Sequence, residues 1–405
     1  MPSRQLALRA SRPNQRKRPE AACRVGCRHD PAVGRSYDAV IGTVGGKTLE
    51  RAFTVLRRGG RLVTTPGELC KATNAGVGRI VVDSPTEVAF LAAGVRQPQA
   101  LQVRVSPDID FYEPSSVTAD LNDQMLGFAR TDGQAADAIR RALDQPLLYL
   151  VGLQCHIGSQ VTDASLYGEA IRQMVPLMAE VRSRHGVILT ELNIGGGHGV
   201  LYVSGDPELD LDALQDFIDD ALDASCAAER FPRPTIVVEP GRAMSARAGI
   251  TLYRVLSVQS QPGGRAIVVV DGGLSDNPRV ALYDARYTIA LANRHSMTAA
   301  QPMTVVGRHG ESGDEIARDI ALPADLHAGD LHAVACTGAY HHIMASTYNM
   351  VGRPPAGRSE GRTHPRTRAS GDDRRLIVPR PRLKEPPPTR RGRIESGCEA
   401  LLHGE

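Results

Sequence analysis

Tryptophan is absent and phenylalanine occurs six times in 405 residues, leaving aromatic side chains at 4% of the chain. Basic grooves that grip nucleic acid interleave cations with stacking rings, and no stretch here offers that alternation, so no nucleic-acid partner is expected. Lysine is scarcer still: Lys17, Lys47, Lys71 and Lys384 are the only four. Chemistry that requires a side-chain amine must use one of them. No apolar run approaches the length of a membrane span, and the opening residues lack the apolar segment of a secretory signal. A soluble, cytoplasmic chain is therefore expected. The seven cysteines (Cys23, Cys27, Cys70, Cys155, Cys226, Cys336 and Cys398) are odd in number and follow no framework spacing, which argues against a disulfide-stapled module.

Charge is unevenly spread. Residues 1–35 hold nine Lys and Arg against two Asp and Glu, and residues 353–405 hold thirteen against seven, so the net +3 of the whole chain hides a middle at −10. Both flanks are rich in Arg and Pro, and both are expected to be disordered basic tails. The length left between them is enough for two buried cores.

From residue 36 to about 240, short β-branched runs alternate with amphipathic stretches, the mark of βα units on a parallel sheet. Strands are predicted at 38–41, 61–64, 79–83, 101–106, 149–155, 190–194 and 235–239, seven where a closed barrel has eight. Between the fifth and sixth, Leu166, Ile171, Met174, Leu177 and Val181 recur on one helical face, with Asp163 to cap the start, Pro176 to kink the middle and Gly186 to stop it. A second helix is expected to turn Leu211, Leu214, Phe217, Ile218 and Leu222 inward. Beyond Arg242 strands follow without long helices (250–258, 266–271, 304–306, 331–336), which predicts a separate β domain. The expected units are a tail at 1–35, a strand–helix–strand at 36–64, an incomplete TIM-type β/α barrel at 65–244, a β domain at 245–352 and a tail at 353–405.

In barrel folds the residues just after each strand face the chemistry. After the fifth predicted strand come His156 and Ser159; after the sixth, Gly195, Gly196 and Gly197; after the seventh, Glu239, Pro240, Gly241 and Arg242. Consecutive glycines let backbone amides close on an anion, for which a phosphate is the natural guest. Taken singly, the triple glycine is equally a flexible loop, Glu239 a strand-end carboxylate, and His156 a structural histidine.

Taken together and in order, these residues resemble a known family. With Asp271-Gly-Gly, Ser275-Asp-Asn-Pro-Arg279-Val-Ala-Leu-Tyr283, Glu311-Ser-Gly-Asp314 and Gly338-Ala-Tyr340, the stretch from 65 to 352 is similar to the diaminopimelate decarboxylases, which join an alanine-racemase-like barrel to a β domain and carry pyridoxal 5'-phosphate (PLP). The resemblance implies a lyase that converts meso-2,6-diaminopimelate to L-lysine and carbon dioxide, working as a homodimer with shared sites. It implies that Glu239 pairs with the cofactor's ring nitrogen, that His156 lies on the ring face, and that Ser159, Gly195, Gly196, Gly197, Gly241 and Tyr340 hold the phosphate. Arg242, Arg279 and Tyr283 would read substrate carboxylates, and Glu311 the distal ammonium from a partner subunit. A second carboxylate on the substrate suits a planar guanidinium such as that of Arg279.

Three positions depart from the family. Its cofactor-anchoring lysine has no counterpart; Lys71, in Cys70-Lys-Ala-Thr-Asn74, falls in a predicted helix at the wrong place. The segment 37–64 resembles instead a short piece of the medium-chain dehydrogenases without their glycine fingerprint, and it puts Lys47 just after a strand, as the surrogate amine the sequence offers. Gly310 stands where the family has a catalytic cysteine, with His309 beside it as the available substitute, and Met125 replaces a usual lysine. Two expectations follow: an enzyme that binds PLP without a covalent lysine link, or a non-catalytic relative that pairs with a competent subunit.

Overall fold

The computed structural model describes residues 37–39, 56–61, 69–109, 127–130, 133–260, 266–355 and 357. Strands β1 (Tyr37–Ala39) and β2 (Leu56–Arg61) pair in parallel as a two-stranded sheet of their own. The second strand lies earlier than the run at 61–64 suggests. Residues 40–55, with Lys47, lie outside the described residues, as do Met125 and the two basic flanks. Helix α1 (Leu69–Asn74) carries Lys71, as the sequence predicts.

The main parallel sheet runs β3 (Ile80–Val82), β4 (Gln99–Ser106), β6 (Leu148–Gln154), β7 (Glu191–Asn193) and β8 (Thr235–Val237), with β5 (Phe128–Ala129) pairing the end of β4. Leu101, Val103 and Val105 are buried, and so is Gln102 on the opposite face, the pattern of a strand covered on both sides. Among the described residues no ladder joins β3 to β8, so the sheet is open. The two-residue β5 is too short to leave a periodic signal in the sequence.

Helices pack on the outside of the sheet. Pro85 opens α2 (Pro85–Gly94), and the Ser84 hydroxyl accepts from the Glu87 amide at 3.3 Å, a hydroxyl cap on an otherwise orphaned donor. Helix α3 (Gln134–Leu143) follows β5. In α4 (Ser165–His185) the predicted inward residues Ile171, Met174, Leu177 and Val181 are buried, Leu166 is partly so, and Gly186 ends the helix in the left-handed region. Asp163 accepts from the Ser165 amide at 2.9 Å. The helix runs through Pro176 as one element. In α5 (Leu211–Ala228) the contact stripe is narrower than expected: Leu214, Ala221 and Leu222 are buried and Ile218 packs against the core, but Leu211 in the first turn and Phe217 at the edge are exposed.

The second domain is a six-stranded sheet in the order β11 (Ile289–Leu291), β14 (Leu331–Val334), β9 (Thr251–Ser260), β10 (Ala266–Val270), β12 (Ala300–Val306), β13 (Glu315–Pro323), antiparallel except for β10 with β12. Its core gathers Tyr253, Val255, Val268, Val270, Met303, Val305, Ile316 and Leu322. Strands β11 and β13 escaped the sequence reading, the latter because Glu315, Arg318 and Asp319 mask the inward Ile316 and Leu322 of an edge strand.

Candidate active site

The C-terminal ends of β6, β7 and β8 bring together the residues that the sequence singled out. At their centre is Asn193, 2% exposed. Its Nδ2 donates to Glu239 Oε1 at 2.9 Å and to Gln102 Oε1 at 3.0 Å, and its Oδ1 accepts from the Gly195 amide at 2.9 Å. Gln102 in turn donates to Glu191 at 2.8 Å, and Arg79 donates to the same carboxylate at 3.1 Å. This polar chain through the sheet interior fixes the Glu239 carboxylate beside the glycine loop. Buried amides that satisfy one another in series hold their orientation.

The loop itself admits no side chain. A Cβ on Gly196 would lie 2.3 Å from the Glu239 carbonyl oxygen, and one on Gly197, at φ +83°, would lie 1.9 Å from the Gly158 carbonyl oxygen. The Gly196 amide donates to His156 Nδ1 at 3.3 Å, which leaves the proton of a neutral ring on Nε2. The Gly195 and Gly241 amides also have acceptors inside the protein, Asn193 Oδ1 and the Glu239 carbonyl. The Gly197 amide takes no acceptor among the described residues. Neighbouring Cys155 is fully buried, which pushes its thiol up to about 12 and keeps it from acting as a nucleophile near neutral pH.

Arg242 enters α6 (Gly241–Ser245) buried at 6% exposure. It donates to Ser159 Oγ at 2.6 Å and to Tyr202 Oη at 2.8 Å, while its Nε is buried without a partner. The Tyr340 ring, carried on a left-handed backbone at φ +69°, lies 5.0 Å from the Arg242 guanidinium and 5.1 Å from that of Arg279. Arg279, at the start of α7 (Arg279–Tyr283), also lies 5.3 Å from the Tyr283 ring and donates to Tyr287 Oη at 3.1 Å. Barrel and β domain thus meet over two cations.

Among the described residues no hydrogen bond or ion pair joins Glu311 to this cluster. Gly310 is exposed at φ +74° with open space where a Cβ would go, and Glu311 is exposed and accepts from Tyr348 Oη at 3.0 Å. His309 turns inward: its Nε2 meets Ser275 Oγ at 3.0 Å and its Nδ1 is buried without a partner. The ring thus faces Ser275, with one nitrogen engaged there and the other enclosed. Asn193, Gln102, Tyr202 and Tyr287 were missed by sequence reasoning. Asn193 left a signal, a polar residue inside an apolar strand directly before the glycines; the tyrosines left none.

A glycine loop, a fixed carboxylate and the buried Arg242 at the ends of parallel strands, with an antiparallel domain behind them, suit a phosphorylated ring. The comparisons agree. Residues 63–246 match the model of the pyridoxal-dependent decarboxylase, pyridoxal binding domain. The diaminopimelate decarboxylase of Actinosynnema pretiosum is 48% identical over 293 residues, covering 72% of this chain and 65% of that protein, and that of Mycobacterium bovis is 39% identical over 298 residues, covering 71% and 67%. The crystal structure of the M. jannaschii diaminopimelate decarboxylase with L-lysine superposes with a TM-score of 0.67 at 26% identity, covering 76% of this chain and 71% of that one. The chain belongs to the pyridoxal-dependent decarboxylase family, on the match to its Mycobacterium bovis relative, and spans about 65% of the length of its Actinosynnema relative. The donors fit PLP, the cofactor of that family: Ser159, the Gly197 amide and the unpartnered Arg242 Nε suit a phosphate, and the carboxylate of Glu239, steadied by Asn193, suits a protonated ring nitrogen.

Proposed function

We propose that this chain is a diaminopimelate decarboxylase-type protein that binds PLP and meso-2,6-diaminopimelate without a covalent lysine link and does not release lysine and carbon dioxide at an enzymatic rate. The observation that supports the binding half of this reading is the Asn193–Glu239 hydrogen bond beside the glycine loop. When bound, PLP supplies an electron-accepting ring for the electron pair left at the substrate's Cα as carbon dioxide departs, most effectively with its ring nitrogen protonated.

The chain's own residues divide the remaining work. Glu239, held by Asn193, keeps a proton on that nitrogen. His156 covers one face of the ring. Ser159, Gly197, Arg242 and the Tyr340 hydroxyl receive the phosphate; Gly195, Gly196 and Gly241, whose amides are engaged within the protein, shape the loop around it. Arg279 and Tyr283 read the substrate carboxylates; Arg242, for which the resemblance implies the same role, is given to the phosphate because its acceptor is Ser159, and Glu311, bonded to Tyr348, serves the neighbouring site of a homodimer. What is missing is the amine for cofactor exchange and the thiol for proton delivery. No lysine lies in β3 to β8, Gly310 carries no thiol, and the His309 ring is sealed against Ser275. The cofactor exchange that a lysine accelerates and the protonation that a thiol serves both lose their groups.

An absorbance titration with PLP and a carbon dioxide release assay test both halves. Saturable binding, weakened about tenfold or more by Glu239→Gln, with release no faster than from free PLP and substrate, is the expected result. Release well above that background would instead support an active enzyme.

A further inference from the structure

Among the described residues several arginines outside the site are paired with carboxylates, although Arg182 is held by the Glu229 and Arg230 carbonyls. Arg294 donates to Asp325 and Asp330, Arg79 to Glu191, and Arg318 to Glu315. The two site arginines are held differently. Among the described residues no carboxylate pairs with Arg242 or Arg279; their acceptors are the Ser159, Tyr202 and Tyr287 hydroxyls, and their flat faces lie near tyrosine rings. A neutral acceptor orients a guanidinium and leaves its charge and its remaining donors for something else. A cation as buried as Arg242, with Nε unpartnered, is costly until an anion arrives.

The two phenols form one unit across the domain junction. Their rings meet edge to face at 5.3 Å, and the Thr288 amide and hydroxyl bond to the Tyr202 carbonyl at 3.2 Å and 2.8 Å. Tyr287 rests in turn on the His341 ring, 5.1 Å away, whose Nδ1 lies 3.0 Å from the Ala339 carbonyl. Burial pushes the Tyr287 hydroxyl up to about 12, so it stays a neutral phenol, and burial pulls His341 down to about 4, so it adds no competing charge.

We propose that Tyr202 and Tyr287 are positioning residues that hold the two site arginines without neutralising them, Tyr202 committing Arg242 to the phosphate end and Tyr287 committing Arg279 to a carboxylate of the amino acid. Arg242 donates to Ser159, the residue after the Gly158 whose carbonyl abuts Gly197, whereas Arg279 faces Tyr283 on the β-domain side. The assignment deepens the proposed function and rests on it.

Tyr202→Phe and Tyr287→Phe remove one hydroxyl each and keep both rings. In the full chain, Tyr202→Phe should weaken PLP and inorganic phosphate by about tenfold or more and leave diaminopimelate within about twofold; Tyr287→Phe should do the reverse. Thermal midpoints should stay within roughly 2 °C of the parent. A purely structural role would move both ligands together or neither, and either pattern overturns the proposal. If the parent chain binds no PLP, the reading of function falls, and the side-chain Nε–Hε resonances of the apoprotein decide the inference. Selective loss of the Arg279 signal in Tyr287→Phe supports it, and an unchanged signal refutes it.

Discussion

At the strand ends of the barrel, each candidate group is held by a second residue that leaves its working side outward: Glu239 by Asn193, His156 by the Gly196 amide, Arg242 by Ser159 and Tyr202. In the β domain, the loop around Gly310 holds itself instead. The Asp314 carboxylate takes the His309 and Leu274 amides, the His309 ring points at Ser275, and Glu311 is tied to Tyr348. Under the proposed function, the difference separates cofactor reception from proton delivery. The strand-end residues form an interlocked hydrogen-bonded set, whereas the loop bonds to itself and carries glycine at 310.

The comparison breaks most completely at Gly197. Gly197→Ala puts a methyl 1.9 Å from the Gly158 carbonyl oxygen on a left-handed backbone, so the loop must move. PLP affinity should fall by about 100-fold, about 2.7 kcal/mol, in an absorbance titration. Retained affinity would show that the loop does not form the phosphate seat.

In the β domain the largest effect should come at Asp330, fully buried and accepting from Arg294, Asn293 and His327. Asp330→Ala strands those donors, and the thermal midpoint should drop by roughly 5 °C or more while PLP affinity stays put. Gly310→Cys is milder. Open space surrounds the position, so the cost is about 1 kcal/mol for a side chain at positive φ, and carbon dioxide release should remain at background because the lysine is still missing.

The smallest effect separates the domains by pH. Burial raises Glu87, at the start of α2, from 4.5 to about 7. A raised carboxyl favours the folded state at low pH, so its contribution is complete below about 4.5 and is lost as pH rises through about 7. Asp330 has the opposite sign: the Arg294 hydrogen bonds hold it below the ordinary carboxylate range, so its contribution is present above 3.8 and disappears only in stronger acid. Urea midpoints between pH 5 and 8 should decline in the parent and flatten in Glu87→Gln.

How much of this was legible beforehand follows from range. The sequence shows what repeats or clusters locally: the parallel strands, the inward face of α4, the strand-end motifs that gather at one rim. It does not show partners across the fold. Leu211 and Phe217 satisfy helical periodicity yet stay exposed, because periodicity marks a face and not how far its partner extends along it. His309 looked available beside Gly310 because nothing local reveals the ring's turn toward Ser275, 34 positions away in the chain. Tyr202 and Tyr287 gain meaning only when the domain junction brings them edge to face. Lys47, the surrogate amine that the sequence offers, lies outside the described residues.

The central claim, a cofactor site without a covalent anchor, is tested most directly by incubating the full chain with PLP, reducing with borohydride, and mapping the digested peptides by mass. The account predicts that the reduced cofactor washes out and that no lysine peptide carries it in stoichiometric amount. A single stoichiometric adduct, above all on Lys47, would contradict it and return the chain to the active enzymes of its family.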